Sequence, residues 1–489
     1  MNYFKYILVI PLICFFACTD ELEDVNKDLN NPTKVPVNRM FMGIERDLSL
    51  EYAINSYDLT NKMVNYTEYP LKHWDHFLQV RDANEDWWEQ HYDELANVEY
   101  IINNAKPGEE NEKGVGLVIK SWMYYVTSSL YGDLPYSEAG LAHHGKNQPA
   151  YDSQDVIFSG ILKDLEEANQ LLGTGSFALQ GDFILDNDIQ KWKKLANSLR
   201  VRVVMAMSGQ VDPKAELQKI LGDPVTYPLM ESNEDQPSFT FNQEVYYPRN
   251  NDGLFFVNDV YMCKDFIDKL LEFDDERIKM YAAKAERPTD GDYVGIPSGT
   301  KRNPSGNVSK TSQLIFESKT NYAIQVVWMS YSELQFLLAE ATEKGWISGG
   351  TSIAKQYYEK GIEASYNYQK ERLDIGIEQG AGKLEAMSNW DSAYLTQEGV
   401  VFSGSQSEKL ELIATQKWLA LYLDMESYFS WRRTRLPRLN FDASTANNGV
   451  PPNRLRYPVD ERVYNKKNYE VAVSRQGADN WDTKMWLLK

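Results

Sequence analysis

The chain is 489 residues long, 43% hydrophobic, with 12 tryptophans and a formal net charge of -20. Its length suits about three domains of average size or one large assembly, with ample material for a core. The acidic balance argues against sequence-independent nucleic-acid binding, which needs Lys and Arg to neutralise phosphates, and against adhesion to anionic lipid through the protein surface.

The amino terminus points to export. Met1 to Lys5 is a short, weakly positive start, and Tyr6 to Ala17 is an apolar run interrupted by Pro11. A helix needs about 20 apolar residues to span a bilayer, so residues 1–17 read as a cleavable secretory signal. The run ends in Phe15-Phe16-Ala17-Cys18. A small residue before a cysteine resembles the lipobox of bacterial lipoproteins, although Phe15 stands where that pattern prefers Leu. Cys18 would then be the lipidated first residue of the mature chain. The competing reading is ordinary signal cleavage beside an incidental cysteine, but free cysteine is uncommon in secreted chains. Cys14 follows bulky Ile13 and fits less well. Asp20, Glu21, Glu23 and Asp24 come next, resembling the acidic export tag of surface lipoproteins in Bacteroidota, so residues 18–30 read as anchor and tether. With Cys18 modified, Cys263 is the one remaining thiol, which leaves no intramolecular disulfide. It reads as a small buried apolar residue. No later run approaches bilayer length, so the lipid is the expected membrane attachment.

Helical periodicity then recurs in pairs. From Trp88, the residues Tyr92, Leu95, Val98 and Ile102 share a face that ends before Pro107-Gly108. A second helix runs from about Val115 to Tyr131 with Val118, Trp122 and Tyr125 on its stripe, and Gly132 is placed to end it. The polar turn between them predicts an antiparallel pair. A third helix covers about Ser153 to Leu172. In a fourth, Lys191 to Ser208, the residues Trp192, Leu195, Ala196, Leu199, Val203 and Ala206 repeat at three and four positions. Residues 224–306 are richer in Pro, Asn, Gly and Asp, which predicts loops and short strands around one helix from Val257 to Phe273. Ser330-Tyr331-Ser332-Glu333 reads as a capping box that opens a helix through Leu334, Leu338 and Ala341. Thr351 to Tyr368 follows a Gly349-Gly350 turn. Ser407 to Trp431 reads as one long helix with Leu410, Ala414, Trp418, Leu421, Met425 and Tyr428 on one side.

These pairs look like units of a helical solenoid, which must stack to bury their faces, so residues 31–489 are expected to share one core. Trp192, Leu199 and Trp418 sit on regular apolar stripes and are expected inside it. Arg432, Arg433 and Arg435 crowd the end of the last helix, where cations are favoured, and are expected to form ion pairs within the fold rather than bind ligand.

Several segments carry a family resemblance. Asp28-Leu29-Asn30-Asn31-Pro32-Thr33, Tyr131-Gly132-Asp133-Leu134-Pro135-Tyr136-Ser137-Glu138-Ala139 and Lys191-Trp192-Lys193-Lys194-Leu195-Ala196-Asn197-Ser198-Leu199-Arg200 are similar to motifs of SusD/RagB lipoproteins, in their SusD-like, starch-binding-associated branch. Phe273-Asp274-Asp275-Glu276-Arg277, Ala339-Glu340-Ala341 with Gly345-Trp346, Tyr428 to Arg435, and Arg454-Leu455-Arg456-Tyr457-Pro458 continue the match in order over nearly the whole mature chain. The resemblance implies a mainly α fold, with tetratricopeptide-like helix pairs in a solenoid-like scaffold and a loop-rich, irregular ligand-binding region. It also implies a lipid-anchored, non-enzymatic protein on the outer face of the outer membrane. There it would capture a glycan and deliver it to a SusC-like TonB-dependent transporter. Some members of the family capture peptides instead.

Ligand residues are sought where aromatics stand outside helical stripes. Sugar rings stack their C–H faces on Trp or Tyr, and their hydroxyls need polar partners. Lys72-His73-Trp74-Asp75-His76-Phe77 offers both, with Trp74 as the leading candidate and His73 and Asp75 beside it; a loop tryptophan folding back onto the core is the competing reading. Tyr246-Tyr247-Pro248-Arg249-Asn250-Asn251-Asp252 is the second candidate, through Tyr246, Tyr247, Arg249 and Asn250. Tyr293 to Asn307 is the third, unless its Gly and Pro only make turns.

Catalytic and metal motifs are missing from the sequence. It has no Gly-x-Ser-x-Gly elbow, phosphate loop or His-Glu-x-x-His zinc site, and no cofactor is expected. His73, Asp75 and His76 lack a third ligand at a fixed spacing. Asp186-Asn187-Asp188 and Asp290-Gly291-Asp292 resemble the start of calcium loops but lack the later ligands. Two rivals to glycan capture stay open: a surface glycoside hydrolase, for which 71 acidic residues would offer some carboxylate pair about 5–9.5 Å apart, and a solenoid adaptor that binds peptides or another protein.

Overall fold

The computed structural model describes residues 36–69, 85–141, 145–176, 178–241, 260–286, 292–300, 307–312, 314, 324–380, 384–443 and 448–489. Its first long helix, α1 (Phe41–Asn55), continues through a π-helical turn at Ser56–Thr60 into Asn61–Met63. Phe41, Ile44, Leu48 and Tyr52 form its buried stripe, but Glu45 and Ser49 are buried as well, which obscures the apolar period. Glu45 accepts the Phe183 N–H and Ser49 accepts the Trp328 indole N–H, each at 2.9 Å.

The expected pairs follow. α2 (Glu85–Asn104) packs on α3 (Glu110–Tyr131), α3 on α4 (Gln154–Leu171), and α4 on α5 (Ile189–Met207). α6 (Lys214–Gly222) leans on α5, and α7 (Lys264–Glu272) stands in the irregular middle. α8 (Tyr331–Glu343) packs against α9 (Gly350–Glu378), α10 (Gln406–Ala420) and α5, while α11 (Glu426–Thr434) and α12 (Lys466–Gln476) close the chain. Glycine lets two crossings come close. A Cβ on Gly116 would stand 3.0 Å from Ile102 of α2, and one on Gly361 would stand 2.9 Å from Phe336 of α8. The product is a scaffold of tetratricopeptide-like helix pairs with one hydrophobic cluster reaching from Val37 to Leu487. Trp192, Leu199 and Trp418 are 0%, 1% and 4% exposed, and Cys263 is buried, as their settings predict. Strands are short: β1 (Thr67–Glu68) pairs with β5 (Tyr261–Met262), β2 (Leu134–Pro135) with β3 (Tyr151–Asp152), and β4 (Ser238–Thr240) with β6 (Gln325–Val327), all antiparallel.

Four expectations need correction. The helix read as Ser407 to Trp431 is two, because Leu423 takes a left-handed φ of +64° and Asp424 restarts the chain by accepting the Glu426 N–H at 2.9 Å. The helix read from Val257 starts only at Lys264, since Tyr261 and Met262 are used in β5. The helix read to Tyr368 continues to Glu378. At Ser330 only half of the capping box forms: the hydroxyl accepts the Glu333 N–H at 3.1 Å, whereas the Glu333 carboxylate turns inward to a buried arginine.

That arginine marks a charged centre. Arg202 on α5 makes two parallel bonds to Glu333 on α8, at 2.7 and 2.5 Å, and a third to the Trp328 carbonyl at 2.8 Å. Glu426 lies 4.0 Å from the same guanidinium and accepts the Tyr125 hydroxyl at 2.7 Å. Asp424 accepts the Tyr52 hydroxyl at 2.5 Å. Burial pushes the Glu333 and Asp424 carboxyls above their usual range, with Arg202 pulling the other way. Beside this group Arg433 makes two 2.6 Å bonds to Glu340. Burial alone would raise the Glu340 carboxyl, but Arg433 holds it well below the ordinary range. Arg432 donates to the carbonyls of Ser129 and Asn453, both at 2.5 Å, and Arg435 to the Asn453 side chain at 2.8 Å. The arginines at the end of α11 are therefore used by the fold. So is motif residue Arg277, buried against Asp275 at 2.6 Å.

Replacing Arg202 leaves several carboxylates buried without their cation. Arg202→Met is expected to lower unfolding free energy by about 3–5 kcal/mol, and Arg202→Met with Glu333→Leu to recover part of it, both read from denaturant midpoints.

Candidate functional site

Trp74, His73 and Asp75 lie outside the described residues, as do Tyr246, Tyr247, Arg249, Asn250 and Cys18. The described chain supplies the ends from which the first two segments spring. In the pairing of β1 with β5, Glu68 stands opposite Tyr261; in that of β4 with β6, Thr240 stands opposite Gln325. The described residues just before the Trp74 stretch therefore lie beside those just after the Tyr246–Tyr247 stretch, and the residues just before the latter lie beside Gln325. Bridges between Tyr261 and Lys310, Cys263 and Ile296, and Ala282 and Thr311 add the described parts of residues 292–312 to the same patch. Backbone hydrogen bonds thus gather segments far apart in sequence.

Side chains lock these roots. Buried Glu68 accepts the N–H groups of Tyr69 at 3.0 Å and Gly299 at 2.7 Å. Gly299 has a φ of +79°, and a Cβ there would stand 2.7 Å from Asp442, so this turn requires glycine. Asp265 accepts from the Asn65 side chain at 3.0 Å and the Asn440 N–H at 2.7 Å. Beneath lies an aromatic floor, where Tyr66 stacks on Trp418 with centroids 5.5 Å apart and meets Phe266 edge-on at 4.8 Å. The Tyr66 hydroxyl donates to the Trp418 carbonyl at 2.5 Å.

The third candidate segment is partly described and behaves as a turn. Tyr293 is half-buried against the core with the Lys284 ammonium 5.7 Å from its ring, and the Thr300 hydroxyl donates to the Pro297 carbonyl at 2.6 Å. Of the calcium-like runs, Asp186 and Asn187 form a left-handed turn and Asp188 caps α5 by accepting the N–H groups of Gln190 and Lys191. Among the described residues, no group of three His, Cys, Asp or Glu is arranged to hold a metal. No described helix is long and apolar enough to cross a membrane.

A cavity opens between β6, α9 and the break separating α10 from α11, lined in part by Gln325, Tyr368, Gln369, Arg372 and Asp424. Sequence reasoning did not single these residues out. One signal was available: Ser365, Gln369 and Arg372, spaced by four and three, are all buried on α9, a polar stripe where an apolar one is usual.

Removing the Glu68 carboxylate strands two part-buried N–H groups, a cost of about 1 kcal/mol. Glu68→Ala is expected to speed deuterium exchange at Tyr69 and Gly299 while α3 and α5 keep their protection. Unchanged exchange at those two amides would refute the locking role.

Residues 30–458 match the SusD-like family, described as starch-binding and associating with the outer membrane. No curated protein matches the chain. Among solved structures, an outer-membrane protein of Bacteroides vulgatus described in connection with nutrient binding is 26% identical, with a TM-score of 0.75 over 93% of this chain and 100% of that one. A SusD homologue of Bacteroides fragilis is also 26% identical, with a TM-score of 0.74 over 93% and 100%. A chitin-binding protein is 28% identical, with a TM-score of 0.75 over 92% and 99%. The helix-pair scaffold, the ordered motifs and the match over most of the chain agree: this protein belongs to the SusD-like family of starch-binding, outer-membrane-associated proteins.

Proposed function

We propose that this protein is a surface lipoprotein that captures an oligosaccharide, leaves it chemically unchanged, and passes it to a SusC-like TonB-dependent transporter. The observation that carries this reading is the gathering of segment roots by the two ladders, β1 with β5 and β4 with β6. It sets the start of the Trp74 stretch beside the end of the Tyr246–Tyr247 stretch, which supports a shared site for the two. The aromatic and polar residues that these stretches contain match what a sugar presents, apolar C–H faces ringed by hydroxyls. Residues 31–489 act as the binding unit, 18–30 as its tether, and lipid on Cys18 as its anchor. The chitin-binding relative makes N-acetylglucosamine oligomers the first ligands to try, and the family description makes starch oligomers the second.

Titration calorimetry of protein starting after Cys18 is expected to show saturable oligosaccharide binding and no product by chromatography. Trp74→Ala should weaken it by about 10- to 100-fold, the loss of roughly 1.5–3 kcal/mol of buried aromatic surface, without shifting the thermal midpoint. Binding confined to peptides would replace the glycan reading with peptide scavenging, and sugar turnover would sink the non-enzymatic one. In cells, Cys18→Ala should abolish incorporation of labelled palmitate and release the protein from the membrane fraction; retention there would remove the anchor.

A further inference from the structure

We infer that the cavity between β6, α9 and the α10–α11 break is a binding site for one neutral pyranose ring, built into the helical scaffold and separate from the loop-borne capture residues. Its volume of about 80 Å³ has room for roughly five to eight waters, comparable to what one sugar ring displaces.

The wall presents charged groups from two different elements. Arg372 on α9 lines the cavity and is 7% exposed; its Nη2 donates to Glu371 at 2.6 Å, while its Nη1 makes no hydrogen bond among the described residues. A guanidinium N–H without an acceptor favours an occupant that supplies one. Asp424, also 7% exposed, uses Oδ1 for the Tyr52 hydroxyl and the Glu426 N–H. Its Oδ2 has no hydrogen bond among the described residues. Gln325 is fixed in place, donating to the Thr240 hydroxyl at 2.8 Å and accepting the Tyr368 hydroxyl at 3.3 Å. Gln369 adds a second carboxamide, and Tyr281, Tyr368 and Tyr422 add ring surface.

This combination suits a sugar. Each hydroxyl both donates and accepts, so neighbouring hydroxyls can take the Arg372 N–H and give to the Asp424 oxygen, while the C–H face of the ring lies against tyrosine. One guanidinium and one carboxyl nearly balance, which favours a neutral ring over a uronate. The fold also gives the site its own structural element: α9 is 29 residues long against 13 for its partner α8, and Gln369 and Arg372 ride on the excess.

The test is titration of the protein, from the residue after Cys18 onward, with D-glucose, N-acetyl-D-glucosamine and D-glucuronate, for the wild type, Arg372→Met and Gln369→Leu. The expected result is saturable millimolar binding of a neutral monosaccharide, at least tenfold weaker in Arg372→Met and in Gln369→Leu. If Arg372→Met does not fold, Gln369→Leu decides alone. Absence of saturation by either neutral sugar, full binding in the folded cavity variants, or preference for glucuronate would each overturn the assignment. Failure of all oligosaccharide capture with monosaccharide binding intact would remove the capture reading and leave this one standing.

Discussion

The arrangement depends on a cation taken out of water. Apolar stripes bring helices together but are non-directional, and a stripe of leucines would tolerate sliding by a turn. Arg202 does not allow it, because its two bonds to Glu333 and its third to the Trp328 carbonyl are satisfied in one placement of α5 against α8. Glu426 and Asp424, tied to Tyr125 and Tyr52, extend that demand to α11, α3 and α1. The break before α11 follows from it, since Asp424 must both meet Tyr52 and open the next helix.

Around this fixed centre the molecule divides its labour. Helix pairs carry the hydrophobic burial, while the irregular middle is fastened by pairings only two or three residues long. Those pairings are secure because they rest on something rigid: Tyr66, next to β1, is stacked on Trp418 and bonded to its carbonyl, and the Cys263 N–H beyond β5 donates to the Tyr66 carbonyl at 2.9 Å.

Most of the helical scaffold was legible in the sequence, because Trp192, Leu195, Leu199 and their counterparts in α2, α3 and α4 repeat at the helical period and face one core. What escaped was governed by polar residues in buried places. Glu45 and Ser49 concealed α1, and the inward turn of Glu333 removed half of an apparent capping box. Asp424 split a helix whose apolar stripe reads as continuous, because a left-handed Leu423 leaves no mark on hydrophobic spacing. The cavity was missed for the same reason. Ser365, Gln369 and Arg372 look like an exposed face until α9 is known to bury them. The ligand candidates rested on composition alone, and Trp74, Tyr246 and Tyr247 lie outside the described residues.

The two short ladders have an evolutionary consequence. Main-chain N–H and C=O groups are common to every residue but proline, so a root held by backbone pairing places little demand on the side chains of the stretch beyond it. Stretches anchored in this way can lengthen, shorten or exchange their side chains without disturbing Arg202 or the helices around it. One scaffold can then acquire new ligand preferences by drift in a few segments, in keeping with the common architecture of chains that share about a quarter of their residues.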